Sequence, residues 1–363
     1  GWIGTLGYKI DNEDYTTSHT KPDIIQLNEI FHQMAERGVS HVIMEVSSHA
    51  LALDRVFGIE FDYCMFSNLS RDHLDFHKDM ESYFEAKYLL FERAAKANSV
   101  SIVNTDDAFG LEIYNRLLRL SAPVVCIGRK KLPQNEEPPT FGISDVQTGL
   151  YSSSFCLCRE GFDPLFIDSP LIGSFNIENL ALALAALIVS ERDTSRLHYT
   201  VQKLQAIKGR IEPVVNQYGI GVYIDYAHTP DAIANLVKSC HQLPHGRIIT
   251  LFGAGGDRDV GKRSLMLKAA LSYSDAVIVS DDNPRYENPE SIIFDIVKDT
   301  DHALPWWIIR DRKKAIISAI RLARSGDIVL ICGKGHETYQ EILGVRHDFN
   351  DHEVAIHAFN ELS

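Results

Sequence analysis

From Val222 to Ile331 the sequence repeats one unit: a short apolar run, a polar turn, then a helical stretch. The runs are Val222-Tyr-Ile-Asp225, Arg247-Ile-Ile-Thr-Leu-Phe252, Asp275-Ala-Val-Ile-Val-Ser280, Trp306 to Ile309 and Asp327-Ile-Val-Leu-Ile331. Apolar runs of this length, alternating with helices such as Asp311 to Arg324, read as buried parallel strands. The pattern predicts a doubly wound, Rossmann-like domain that begins after Lys208-Gly-Arg-Ile-Glu212, with a boundary near Gly209. In such sheets ligands gather at the carboxyl ends of the strands. Asp225, Gly253, Asp282 and Gly333 stand at those ends, and Arg258, Arg285, Lys334 and Glu337 are the charges of the expected rim.

The turn behind the third run, Ser280-Asp-Asp-Asn-Pro-Arg-Tyr-Glu287, admits two readings. Asp/Asn-Pro is ordinary turn chemistry. An arginine beyond the turn can also clamp a carboxylate with two parallel hydrogen bonds, beside acceptors for an ammonium group. Those are the parts of an amino-acid site. The glycines of Gly253-Ala-Gly-Gly-Asp-Arg-Asp259 let a backbone approach a ligand, but position 258 is Arg, so the dinucleotide fingerprint is incomplete.

The first half is α/β in a different rhythm. A helix is predicted over Asp23 to Gly38 and a buried strand over His41-Val-Ile-Met-Glu-Val46, with Glu45 a carboxylate inside an apolar run. A buried carboxylate requires a cation or a charged partner; the alternative is that Glu45 is not buried. Phe61 to Phe66 reads as a strand leading into a loop with Asp72, His73 and Asp75, which suits oxygen-coordinated Mg2+ better than zinc, or is a solvated polar loop. In the helix Asp79 to Lys96, Lys87 shares a stripe with Tyr83, Phe84, Leu90 and Phe91. It is either a snorkelling lysine or a buried amine able to take up carbon dioxide as a carbamate. Strands follow at Val100 to Asn104 and Val124 to Gly128, then a hairpin over Tyr151 to Ile167. Asn176 and Asn179 precede the helix Leu180 to Val189, where they would cap it or grip a ligand.

At 363 residues the chain fits two domains. Its net charge of -13 argues against binding nucleic acid or anionic membrane. No stretch approaches the roughly 18 apolar residues of a membrane span, and the six cysteines are scattered without zinc spacing, as in a reduced, cytoplasmic protein.

Eight segments in this order carry a resemblance over essentially the whole chain: Met44-Glu-Val-Ser-Ser-His-Ala50, Asn68-Leu-Ser-Arg-Asp-His-Leu-Asp75, Glu85-Ala-Lys87, Gly209-Arg-Ile-Glu212, Asp225-Tyr-Ala-His-Thr-Pro-Asp231, Gly255-Gly-Asp-Arg-Asp259, Asp282-Asn-Pro-Arg285 and Gly333-Lys-Gly-His-Glu-Thr-Tyr-Gln340. The chain resembles the Mur ligases, ATP-dependent enzymes that add amino acids to the bacterial peptidoglycan precursor, and within them the branch that adds the third residue. The resemblance implies a central ATP-binding, P-loop-type α/β domain over 1–209 and a Rossmann-like C-terminal domain over 210–363. It implies ATP and Mg2+ as cofactors, and UDP-MurNAc-L-Ala-D-Glu and meso-diaminopimelate as substrates of a cytoplasmic monomer. Glu45 and His73 would hold Mg2+, and Lys87, carbamylated, would be catalytic and help place a second ion. Asn176, Arg210 and Asp225 would bind ATP, while Thr20, Ser47 and Arg55 would contact the UDP-muramoyl substrate. Asp282, Asn283, Pro284, Arg285, Arg258, Gly333 and Glu337 would form the diaminopimelate pocket.

Three features depart from the family pattern. Lys21 follows Thr20 where the family carries a second threonine, and Leu53 stands two residues before Arg55 in place of glutamine. The family's Gly-Thr-Asn-Gly-Lys-Thr-Thr phosphate loop is expected upstream of Gly1, and without it efficient phosphorylation is not expected of this chain. The rival readings are a non-catalytic binding protein that keeps the amino-acid pocket, and a sibling ligase of the folylpolyglutamate or cyanophycin synthetase type.

Overall fold

The computed structural model describes residues 1–4, 7–15, 23–70, 73, 76–132, 139–190, 196–300 and 305–361. Contacts divide the chain into two compact units. One comprises Gly1–Ile143, Cys158–Asp163 and Ala181–Arg192, and the other Ser144–Leu157, Pro164–Leu180 and Asp193–Ser363. Among the described residues no helix is long and apolar enough to cross a membrane.

In the first unit the strands Tyr63–Phe66, Val100–Asn104 and Val124–Gly128 run parallel. The helices Met80–Lys96 and Ala108–Arg119 cover them, and Phe84, Phe91, Ile113 and Leu117 close a core with Phe66, Val103 and Cys126. A second sheet orders Glu13–Tyr15, Gly7–Ile10, Trp2–Gly4 and Ile43–Met44. The helix Ile24–Glu36 packs Leu27, Ile30 and Met34 toward Ile3 and Ile10. Asp23 starts that helix with a capping box, accepting from the backbone of Ile25 and Gln26 while the Gln26 side chain returns to the Asp23 amide.

The buried strand expected over 41–46 is a correction. Only Ile43–Met44 is strand, it lies at the sheet edge beside Trp2 and Ile3, and Ile43 is 63% exposed. An apolar run reads the same in a sheet interior and at an edge; the neighbours decide which it is.

The second unit owes its form to four strands whose residues are all buried, Gly221–Asp225, Ile248–Phe252, Ala276–Val279 and Ile328–Cys332, and to a fifth, more exposed edge strand, Trp306–Ile308. They lie parallel in the order 221–225, 328–332, 248–252, 276–279, 306–308, with Glu212–Pro213 antiparallel on the outer side of the first. Alternate residues serve opposite faces. Tyr223, Phe252, Val277 and Leu330 meet the helices Pro230–Cys240, Lys262–Tyr273 and Pro289–Val297. Val222, Ile249, Ile278 and Val329 meet Arg312–Leu322 and Asp351–Asn360. The sheet is therefore doubly wound, as the repeat predicts.

Its last strand enters between the first two. The helices that follow strands 221–225 and 248–252 lie on one face, whereas the helix that closes the chain after 328–332 lies on the other. This is a topological switch point, and the crevice it opens lies at Gly333.

Candidate functional site

The Asp282-Asn-Pro-Arg285 turn sits in that crevice with Asp282, Asn283 and Pro284 buried. Asn283 is its hub. Its carbonyl accepts from Gly256 N at 2.9 Å. Its side-chain Oδ1 accepts from Lys334 Nζ at 2.9 Å and Glu341 N at 3.0 Å, and its Nδ2 donates to Glu337 Oε2 at 2.8 Å. Donors on one side and an acceptor on the other leave the amide a single orientation. Two glycines make room: a Cβ on Gly256 would lie 2.0 Å from the Pro284 carbonyl, and one on Gly333, at φ +114, would lie 2.6 Å from Asp282 Oδ2.

Arg285 holds φ at +52, a conformation that L-residues avoid. A hairpin, Tyr339–Ile342 with Val345–Asp348, keeps it there. The Arg285 N–H donates to Glu341 O at 3.0 Å and its carbonyl accepts from Leu343 N at 2.7 Å. The guanidinium donates from Nη1 to Gly256 O at 2.7 Å and stands 3.9 Å by Nε from Glu341 Oε2. It remains about one-fifth exposed, so donors are left to meet a ligand carboxylate.

Sequence reasoning missed this hairpin. Its turn residues Leu343 and Gly344 both have positive φ, the form usually signalled by Asn-Gly, and leucine in the first place hides it.

The neighbouring glycine-rich loop is tied to the same turn from below. Buried Arg263 donates to both Glu287 oxygens at 2.5 and 2.6 Å and to Asp295 at 3.0 Å, and Glu287 also accepts from Asp257 N at 3.0 Å. The Arg263 bonds hold the Glu287 carboxyl below its ordinary range. Arg258, on this loop, is exposed and takes no part in these bonds. Lys334, expected as a rim charge, is fully buried beneath the turn, because its ammonium is drawn onto Asn283 and Glu337.

Farther along the rim, both Asp225 oxygens are held by backbone, Oδ2 by Ile211 N at 2.9 Å and Oδ1 by Ala227 N at 2.8 Å. Burial pushes its carboxyl up against those two bonds. Arg210 is exposed, with its guanidinium 5.6 Å from the centre of the Tyr226 ring, which His228 and His336 also approach. Asn176 does not cap its helix. The helix starts at Ser174, and Asn176 lies in its first turn with Nδ2 on Ile172 O at 2.8 Å.

In the first unit, Lys87 is half-buried with Nζ 5.4 Å from the Tyr83 ring centre, and the His73 ring lies 5.8 Å from the same ring. His77 stacks on Tyr83 with ring centres 5.0 Å apart and bonds Ser48 Oγ by Nε2 at 2.8 Å. Glu45 is exposed. Among the described residues no group of three His, Cys, Asp or Glu converges on a cation position. Asp72 and Asp75, the loop carboxylates on either side of His73, lie outside the described residues. Ser47 Oγ caps the helix Ser48–Ala52 by accepting from Ala50 N at 3.2 Å, and half-buried Arg55 follows that helix. Thr20 lies outside the described residues.

A doubly wound sheet with this crevice, behind an α/β unit, corresponds to two family descriptions: Mur ligase middle domain matches residues 1–187, and Mur ligase, glutamate ligase domain matches residues 209–335. The chain belongs to the Mur ligase family of ATP-dependent ligases.

Within it, the chain is 37% identical over 372 residues to the UDP-N-acetylmuramoyl-L-alanyl-D-glutamate--2,6-diaminopimelate ligase of Bacteroides thetaiotaomicron, covering 99% of this chain and 72% of the relative. Proteins of the same name from Clostridioides difficile and Solibacter usitatus are 39% and 41% identical over 98% and 97% of this chain, and 72% and 70% of theirs. A solved structure of an enzyme so named superposes with a TM-score of 0.74 at 36% identity, over 99% of this chain and 72% of its own. A folylpolyglutamate synthase from Thermotoga maritima shares the fold, with a TM-score of 0.58 at 17% identity over 85% of this chain and 66% of its own.

Proposed function

We propose that the protein joins meso-diaminopimelate to UDP-MurNAc-L-Ala-D-Glu in an ATP-dependent amide-forming reaction of peptidoglycan precursor synthesis. The observation that carries this reading is the juxtaposition at the switch point. Arg285 presents guanidinium donors beside a network holding the carboxylates of Asp282 and Glu337. The distal centre of diaminopimelate bears a carboxylate and an ammonium, which suits both charges. Lysine offers only the ammonium, leaving the guanidinium of Arg285 unpaired and opposed to a like charge.

ATP transfers its γ-phosphoryl group to the terminal carboxylate of the acceptor, giving an acyl phosphate and ADP. The neutral amine of diaminopimelate attacks the acyl carbon, and the tetrahedral intermediate expels phosphate as the amide forms and the nitrogen loses a proton. The crevice at the switch point binds and orients the amine in those steps. Asp282, Asn283, Pro284, Arg285, Arg258, Gly333 and Glu337 are the residues assigned to that pocket. Asn176, Arg210 and Asp225 are assigned to ATP, with Asp225 acting through the backbone of Ile211 and Ala227. Thr20, Ser47 and Arg55 are assigned to the muramoyl substrate, and Glu45, His73 and a carbamylated Lys87 to Mg2+. Domain limits of 1–209 and 210–363, a cytoplasmic location and a monomeric state complete the reading.

The test is calorimetric titration of the protein with meso-diaminopimelate and with lysine, together with phosphate release by the full-length protein on UDP-MurNAc-L-Ala-D-Glu. Preference for diaminopimelate in both assays is expected; equal response to the two amino acids would refute the specificity.

A further inference from the structure

Lys334 is a fully buried ammonium with no place yet in the chemistry. A cation removed from water persists only where it is hydrogen-bonded and paired. Its partners are Asn283 Oδ1 at 2.9 Å and Glu337 Oε2 at 3.3 Å, with Asp282 Oδ1 at 3.9 Å. All three belong to the proposed diaminopimelate pocket. Asn283 Nδ2 bonds the same Glu337 oxygen at 2.8 Å, which closes a triangle of Lys334, Asn283 and Glu337. Both donors fall on Oε2, so Oε1 is the oxygen left for another donor.

The charges of this cluster, one ammonium and two carboxylates, leave it net negative. It therefore suits a ligand ammonium and opposes a second carboxylate, the complement of what Arg285 offers. Without Lys334, the Asp282 and Glu337 carboxylates would face each other with no cation between them, and the Asn283 amide would lose the donor that orients it.

We infer that Lys334 is a positioning residue for substrate selection: it touches no ligand itself and fixes Glu337 and Asn283 so that Oε1 of Glu337 receives an ammonium of the incoming amino acid. The inference rests on the proposed diaminopimelate pocket and extends it to a residue beneath that pocket.

The test is a double-mutant cycle read by calorimetric titration with meso-diaminopimelate, using Lys334→Met, Lys334→Gln, Glu337→Gln and the combinations. Lys334→Met is expected to weaken binding about tenfold or more, the loss of a charged hydrogen bond. Lys334→Gln, which can still donate to Asn283, should fall between it and wild type. In the Glu337→Gln background either substitution should cost little more. Unchanged affinity in Lys334→Met, or full additivity with Glu337→Gln, would overturn the inference while leaving the pocket intact. Should Lys334→Met fail to fold, the Lys334→Gln cycle decides by the same criterion. Failure of the wild-type protein to bind diaminopimelate overturns pocket and inference together, and so separates the two cases.

Discussion

Arg285 donates its backbone N–H to the Glu341 carbonyl at 3.0 Å while holding φ at +52. The hairpin carrying Glu341 lies more than fifty residues downstream, and it keeps in place a conformation that the turn alone would abandon. Non-glycine residues in the left-handed region lose about 1 kcal/mol, so the side chain here is retained against a conformational cost.

That cost gives a test with two arms. Arg285→Gly is expected to be at least as stable as Arg285→Ala, because glycine accepts this φ freely. Both are expected to lose diaminopimelate affinity by about tenfold or more. Thermal melts compare the stabilities and calorimetry the affinities; an Arg285→Gly protein that binds like wild type would remove the guanidinium from the pocket.

Gly256→Ala should damage the pocket more than its small volume suggests. Its Cβ would stand 2.0 Å from a backbone carbonyl, Pro284 O, which cannot rotate away. We expect a loss of about 1–3 kcal/mol in urea unfolding together with weakened diaminopimelate binding. Wild-type values for both would show that the loop and the turn are not packed as described.

The pair Arg312 and Asp351 is buried completely, with Nε to Oδ1 at 2.8 Å and Nη2 to Oδ2 at 2.7 Å, and Nη2 also holds Cys332 O at 3.0 Å. It fastens two helices to the strand end just before Gly333. Asp351→Leu alone strands a buried guanidinium and should cost about 3–5 kcal/mol, whereas adding Arg312→Met should recover much of that loss. Denaturant unfolding of the three proteins distinguishes this from simple additivity.

Acid should loosen the loop that Glu287 ties down. Its carboxyl titrates below its ordinary 4.5 in the folded protein, chiefly through the Arg263 hydrogen bonds. The stabilisation is therefore fully present above that ordinary value and disappears as pH falls through the lowered folded-state value. Urea midpoints of wild type and Glu287→Gln should differ at neutral pH and converge in acid; a gap that widens in acid would contradict the assignment.

Much of the second unit is legible in the sequence. Apolar runs ending at Asp225, Phe252, Ser280 and Ile331 impose parallel strands, and parallel strands place Asp225, Gly253, Asp282 and Gly333 on one rim. The first unit is less legible at Glu45. Its apolar neighbours suggested burial, but Ile43–Met44 has a strand on one side and the carboxylate is exposed.

The sequence by itself determined the alternation of elements, the rim and the chemistry of the side chains along it, because periodicity and turn residues are local properties. Only the tertiary structure decided that Lys334 lies beneath the rim, that Arg285 is clamped by the hairpin at Glu341, and that Asn283 joins them. Burial and hydrogen-bond geometry depend on partners some fifty residues away, and no local pattern records which of two equally charged side chains will be covered.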